Sequence, residues 1–375
     1  MSAPRWWRRW PAWAPYAAAL WSLAYGALGL YWTLGGAGFP FGAGHDPAAH
    51  LSVLGGVRRE GAAPVVAALG LAGAVAAAAM ARGRGRGWPR VALLALAWTT
   101  AAALAIVIPD FRLLVIVAYA PILVLGAPFG WPSDARFLDA IPWPVLNQGV
   151  CVVGGLAWAA AALAYQRVTR GACGHCGRTD TVAGWTTPAA AARWGRWATG
   201  VAVAVPVLYA LTRWTWALGI PLGLSGEFYR EGQAVGLWWI GAALATLALV
   251  GAALTLGLVR PWGERVPRRV PFLGGRRVPR ALVVVPAVAV AVVVTSAGLM
   301  FLRMGLAGTF RIGDHVIRLD ENWAALAPEL LWPAWGVALG AAALAYHYRT
   351  RGRCAYCGRG EARATAVRTD GARAG

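Results

Sequence analysis

Long runs of apolar residues dominate this sequence, and they limit the folds that are open to it. A helix that crosses a bilayer core of about 30 Å needs roughly 20 apolar residues. Runs of that length cover residues 12–34, 62–81, 90–109, 144–166, 197–219, 234–259, 281–302 and 327–348. Hydrophobic residues make up 59% of the chain and charged residues only 13%, unlike an ordinary soluble domain. The sequence therefore predicts an all-α fold, a polytopic transmembrane helical bundle with eight spanning helices.

A further apolar segment, 113–131, makes nine helices the alternative count. It contains Pro121 and Pro128 and follows the third run almost directly. Short cytoplasmic loops collect basic residues, and with eight helices and a cytoplasmic N-terminus roughly three quarters of the 35 arginines fall on the inner side. A ninth helix would move the arginines around Cys173 to the outer side. We therefore expect 113–131 to be a re-entrant or interfacial element, with both chain termini cytoplasmic and the protein in the plasma membrane.

The formal charge of +20 comes entirely from arginine, because the chain has no lysine. The arginines lie in short groups between apolar runs, which is typical of topology signals and argues against a nucleic-acid partner. Two groups, residues 82–86 and 265–280, could contact anionic lipid headgroups, although ordinary positive-inside usage explains them equally well. The expected partners are the lipid bilayer and an unidentified protein.

The chain contains an internal repeat. Residues Tyr25, Trp32, Leu34 and Gly35 recur at the same spacing as Tyr209, Trp216, Leu218 and Gly219, and Trp143-Pro144 recurs as Trp332-Pro333. A repeated pattern of this length indicates duplication. We expect two parallel four-helix repeats, 1–185 and 186–375. Because four is an even number, the ends of both repeats should lie on the same side of the membrane.

Each repeat ends in a pair of cysteines followed by Gly-Arg. The first pair, Cys173 and Cys176, lies in CGHCGR, and the second, Cys354 and Cys357, lies in CAYCGR. A Cys-x-x-Cys turn supplies two thiolates, and two such turns supply the four ligands of a tetrahedral zinc ion. The duplication predicts both turns at equal depth, so a structural zinc site joining the two halves is the preferred interpretation.

Two other interpretations of the cysteines remain open. Nearby arginines could lower a thiol pKa and favour redox chemistry, although a reducing cytoplasmic side argues against it. The pairs could also be unrelated reduced thiols. We interpret His175 as a solvent-exposed spacer and Cys151 as a small buried apolar residue.

One ionisable residue, Arg213, lies clearly within an apolar run and is therefore a candidate functional residue. Its side chain could reach the membrane interface. Alternatively, it could pair with Asp110, Glu227 or Glu231 in a polar cavity on the outer side.

The first apolar run, the TLGGAGFPFG segment after it and the four helices per half resemble small actinobacterial four-helix integral membrane proteins of unknown function, here as a duplicated and fused pair. The resemblance implies a fold and no activity. The sequence carries no P-loop, catalytic triad or HExxH motif. It favours a non-enzymatic scaffold, sensor or regulator. The alternatives are a secondary transporter or permease component, and a membrane thiol-disulfide oxidoreductase.

Overall fold

The computed structural model shows a mostly helical chain. It describes residues 9–83, 85–116, 118, 141–181, 183–312 and 315–360. In chain order the helices are α1 (Trp10–Thr33), α2 (Arg59–Ala81), α3 (Gly87–Ala102, continued as a π-helix over Ala103–Val107), α4 (Trp143–Thr169), α5 (Pro188–Ala217), α6 (Gly226–Ala234), α7 (Leu237–Leu256), α8 (Arg280–Leu306), α9 (Trp323–Leu330) and α10 (Trp332–Thr350). Two-residue strands, β1 (Arg311–Ile312) and β2 (His315–Val316), pair antiparallel.

Five helices in the described ranges are long and apolar enough to cross a membrane. They are α2, α3 with its π-helical extension, α4, α7 and α8. The structure therefore confirms a helical protein whose composition suits a membrane. The count of eight spans stays a prediction, and most of the segment 113–131 lies outside the described residues.

Helix contacts follow one pattern before and after residue 186. In the first part α1 packs against α2 and α4, and α3 packs against α4. In the second part α5 packs against α7 and α10, and α8 packs against α10. In both parts the first long helix contacts the second and the fourth, and the third contacts the fourth. One core cluster forms among α1–α4 and two form among the later helices.

The contact between α1 and α2 depends on small residues. A Cβ atom added at Gly29 would lie 2.5 Å from the backbone nitrogen of Ala67, and one added at Gly70 would lie 2.4 Å from the Cα of Gly26. Helices in lipid associate through close packing of this kind because lipid chains supply no hydrophobic driving force. These glycines therefore allow the two backbones to touch.

Two apolar runs are interrupted in the structure. The run 327–348 is divided at Leu331 between α9 and α10, where Pro328 and Pro333 each remove a backbone donor and disfavour a continuous helix. The run 234–259 begins its long helix only at residue 237, because Gly236 adopts a left-handed conformation with φ of +70°. The expected boundaries of these two runs were therefore wrong by several residues.

The two parts of the chain touch near both ends of the bundle. At the end that carries the loop 34–58, here called the loop end, Arg303 donates hydrogen bonds to the carbonyls of Leu51 (2.6 Å) and Ser52 (3.0 Å). Deeper in the bundle, the Ser296 hydroxyl donates to the Pro109 carbonyl at 2.7 Å. The opposite end, here called the cysteine end, carries both Cys-x-x-Cys turns.

Candidate metal centre

Each cysteine turn is formed by the same backbone hydrogen bonds. In the first turn, the N–H of Cys173 donates to the Arg178 carbonyl (2.9 Å) and the N–H of Gly177 donates to the Cys173 carbonyl (2.8 Å). The second turn has the equivalent bonds at 3.0 Å and 2.9 Å. Gly177 and Gly358 have φ of +71° and +70°, a left-handed conformation that glycine adopts without a steric penalty. The glycine after each second cysteine is therefore needed to close the turn.

The two turns bring four free thiols together. The sulfur atoms of Cys173, Cys176, Cys354 and Cys357 all lie within 4.8 Å of one another. The Cys176 and Cys357 sulfurs are 3.6 Å apart, too far for a disulfide bond. Zinc–sulfur bonds of about 2.3 Å would place the sulfurs of a regular tetrahedron roughly 3.8 Å apart. The cluster therefore has the size that a four-thiolate metal site requires, and it could hold a metal ion.

The residues before the second cysteine of each turn, His175 and Tyr356, contact each other. The rings of His175 and Tyr356 are stacked, with centroids 3.4 Å apart and planes 11° apart. The compact set of possible metal ligands found among the described residues consists of the four cysteines. His175 is thus part of the contact between the turns.

Arginines hold the two turns together through backbone carbonyls. Arg178 donates to the carbonyls of Gly352 and Arg359, both at 2.9 Å, and Arg359 donates in return to the carbonyl of Arg178 at 3.1 Å. Arg359 also pairs with Asp180 at 2.7 Å. The Gly-Arg that follows each cysteine pair in the sequence was the available signal for this reciprocal contact, which the sequence analysis did not identify.

The thiols differ in how readily they ionise. Burial raises the pKa of Cys173, but the backbone N–H groups of Cys176 and His175 and the neighbouring thiols outweigh it and bring the pKa to about 6. For Cys354 the same opposition between burial and hydrogen bonding gives a lowered pKa. Burial and its thiol neighbours raise the pKa of Cys176 to about 12. Full ionisation of the cluster would place several negative charges within a few ångströms, so a dication would stabilise it.

The remaining candidate residues lie in three separate places. Arg213 is only 8% exposed and forms an ion pair with Glu329 of α9. The expected pairing with Asp110, Glu227 or Glu231 is therefore replaced by one with Glu329. Glu227 lies exposed in the first turn of α6.

Asp110 belongs to a second buried network in the first half. Arg112 contacts both Asp110 (2.6 Å) and Asp46 (2.8 Å), and the Gln148 amide donates to Asp110 at 2.7 Å. No local sequence pattern connects Asp46 with Asp110, which are 64 positions apart. For the other network, Glu329 could have been recognised in the sequence as a candidate partner of Arg213, because it is the single acidic residue of the apolar run 327–348.

No protein-family model, no curated protein and no solved structure matches the chain. Fold and geometry therefore carry the functional argument.

Proposed function

We propose that the protein is a two-repeat integral membrane scaffold or regulator whose halves are joined by a structural zinc ion. The observation that carries the proposal is the position of four free cysteine sulfurs within 4.8 Å of one another, contributed equally by two segments far apart in sequence. Thiolate ligands favour zinc among the common divalent ions, and four of them complete its tetrahedral shell. No position is then left for a catalytic water, so the ion serves to join the halves.

The equal contributions of the two turns support the duplication. Both turns share the same hydrogen bonds, and each follows a helix with a threonine near its end that donates to a tyrosine carbonyl: Thr169 to Tyr165 (2.8 Å) and Thr350 to Tyr346 (2.7 Å). The shared pattern of helix contacts also supports two four-helix units, residues 1–185 and 186–375. In this proposal eight helices span the plasma membrane, and the arginine-rich cysteine end faces the cytoplasm.

Metal analysis of detergent-purified protein tests the proposal. We expect about one zinc per chain in the wild type and none in a variant with Cys173→Ser and Cys354→Ser, which leaves one thiol in each turn. Cys151→Ala is the matched control, because Cys151 is fully buried within α4 and lies outside the cluster of possible metal ligands found among the described residues. Metal-free wild-type protein, purified without chelator, would contradict the zinc centre.

A thiol-disulfide function is the second candidate, and the lowered pKa of Cys173 favours it. The Cys173 thiolate would attack a substrate disulfide and release one substrate sulfur as a thiolate. Cys176 would then attack the mixed disulfide and release the other, so that the substrate is reduced and Cys173–Cys176 is oxidised. Mass spectrometry after alkylation of the purified protein distinguishes the two functions. Zinc-loaded thiols resist alkylation until a chelator is added, whereas a redox pair without metal is alkylated at once when reduced and is protected when oxidised.

The transporter alternative stays a prediction. It needs a polar path between the halves; among the described residues, the ion pair Arg213–Glu329 lies in the second half and Asp110–Arg112 in the first.

A further inference from the structure

A cavity of about 470 Å³ lies between α7 and α8 at the cysteine end. Almost all of its wall is apolar, contributed by residues such as Gly251 and Leu254 of α7, Leu282 and Val290 of α8 and Leu339 of α10. Leu254 and Leu282 are 65% and 67% exposed, so the cavity opens to the outside of the bundle. The lining residues of α8 extend from 282 to 290, roughly 12 Å along the helix axis. That depth is close to the roughly 15 Å of one bilayer leaflet.

A basic hairpin lies beside the open end of this cavity. Residues 264–278, here called the arginine hairpin, are held by backbone hydrogen bonds from Val266 to the Arg276 carbonyl (2.9 Å) and from Val278 to the Glu264 carbonyl (3.0 Å). Val278 itself lines the cavity, as do Trp262 and Gly263 just before the hairpin. The base of the hairpin therefore forms one wall of the cavity.

The hairpin and its flanks are strongly positive. The exposed arginines of this region are Arg260, Arg265, Arg268, Arg269, Arg276, Arg277 and Arg280. The acidic residue among them, Glu264, is 3.3 Å from Arg349 and so is already paired. Arginine binds phosphate oxygens through a fork of N–H donors.

The tip of the arginine hairpin is apolar and exposed. Phe272 is 96% exposed and Leu273 is 49% exposed, although both lie between pairs of arginines. A polar solvent does not favour such a tip, whereas a membrane interface accepts apolar side chains together with flanking arginines. The helices on either side, α7 and α8, are both long and apolar enough to cross a membrane, so the hairpin lies close to the bilayer surface.

We propose that the cavity between α7 and α8 binds an acyl chain of one anionic phospholipid, whose phosphate lies against the arginine hairpin. The lipid chain covers the apolar wall that the described helices leave open, and the headgroup compensates the charge of the hairpin. A zwitterionic lipid fits the cavity equally well but carries no net charge for the arginines. The site is thus selective for the headgroup and not for the chain. It is independent of the zinc centre.

Native mass spectrometry of the full-length protein in detergent tests this site, with phosphatidylglycerol and phosphatidylcholine of identical acyl chains as probes. We expect phosphatidylglycerol to be retained in preference, and Gly251→Leu to reduce the retention of both lipids, because the new side chain occupies part of the space for the acyl chain. A Cβ at Gly251 meets no atom within 4 Å, so the fold should tolerate the change. Gly200→Leu is the matched control, because Gly200 is an exposed glycine of α5 with the same open surroundings.

Arginine variants test the headgroup contact. Arg277→Gln with Arg280→Gln should weaken phosphatidylglycerol binding by about fivefold for each arginine removed. The same change at Arg193 and Arg196, exposed arginines of α5 that do not line the cavity, should have no effect. Three results would overturn the proposal. They are equal retention of both lipids, binding by Gly251→Leu as strong as that of the wild type, and displacement of the lipid by inorganic phosphate alone. The same spectra report the mass of any bound zinc, so failure of the lipid site and failure of the metal centre are distinguishable.

Discussion

The buried ion pair between Arg213 and Glu329 leads to a prediction about stability. Their side chains are 10% and 6% exposed. The guanidinium also donates to the Thr212 hydroxyl (3.0 Å) and lies over the rings of Tyr209 and Trp216, with its central carbon 4.5 Å and 4.4 Å from their centroids. Removing one partner of such a pair leaves an uncompensated buried charge, which costs about 3–5 kcal/mol.

The two single substitutions should not be equivalent. After Arg213→Met, Glu329 can take up a proton and become neutral, which limits the loss. After Glu329→Leu, Arg213 cannot lose its charge, since a guanidinium stays protonated in proteins. We therefore expect Glu329→Leu to reduce the free energy of unfolding by the full 3–5 kcal/mol or so, Arg213→Met to reduce it less, and the double variant to recover most of the loss.

Unfolding by sodium dodecyl sulfate, followed by circular dichroism of the detergent-purified protein, measures these differences. The pair Arg318 and Asp320 is the control, because both side chains are mostly exposed and Arg318→Met should leave the unfolding midpoint unchanged. Additive effects of the two buried substitutions, with no recovery in the double variant, would refute the reasoning. They would mean that Arg213 and Glu329 do not interact in the folded protein.

Other outcomes follow from packing, charge and ligand chemistry. Gly29→Leu should destabilise the protein by about 1–3 kcal/mol or more in the same assay, because the new side chain meets the backbone of α2. Burial alone would raise the pKa of Asp46, but hydrogen bonds from Arg112 and from the Ala48 N–H keep it below its ordinary value. The stability that Asp46 contributes is therefore present above about pH 3.9 and lost as the pH falls through the lowered pKa. The melting temperature of Asp46→Asn should therefore fall less on acidification than that of the wild type. Chelator treatment should lower the melting temperature of wild type and Cys151→Ala equally, and should leave the Cys173→Ser, Cys354→Ser variant unaffected.

The sequence predicted a helical chain with helices long and apolar enough to cross a membrane, because an apolar run of about 20 residues has few other stable forms. It also predicted that Cys173 and Cys354 belong to one cluster, since a duplication repeats the distance between a helix end and its turn. The prediction of the helices depends on a local pattern, and the prediction of the cysteine cluster depends on the repetition of a local pattern. The run 327–348 shows the limit of this reasoning, because hydropathy does not register the two prolines that divide it.

The partners of buried charges could not be predicted in the same way. Arg213 and Glu329 are 116 residues apart, and their contact depends on how α5 packs against α9. Nothing in the local sequence of either helix specifies that packing. The contacts of Arg178 and Arg359 were hidden for another reason: the repeated Gly-Arg marks the two arginines, but their acceptors are backbone carbonyls, which every residue possesses.

A metal ion held by the four cysteines would also act as a cross-link. It would join positions 181 residues apart, such as Cys176 and Cys357, and so turn the segment from α5 to α10 into a closed ring. By the chain-entropy relation for loop closure, a ring of that size destabilises the unfolded chain by about 5 kcal/mol. One proteolytic cut within the ring would then leave the two fragments joined through the metal as well as through the contacts between helices.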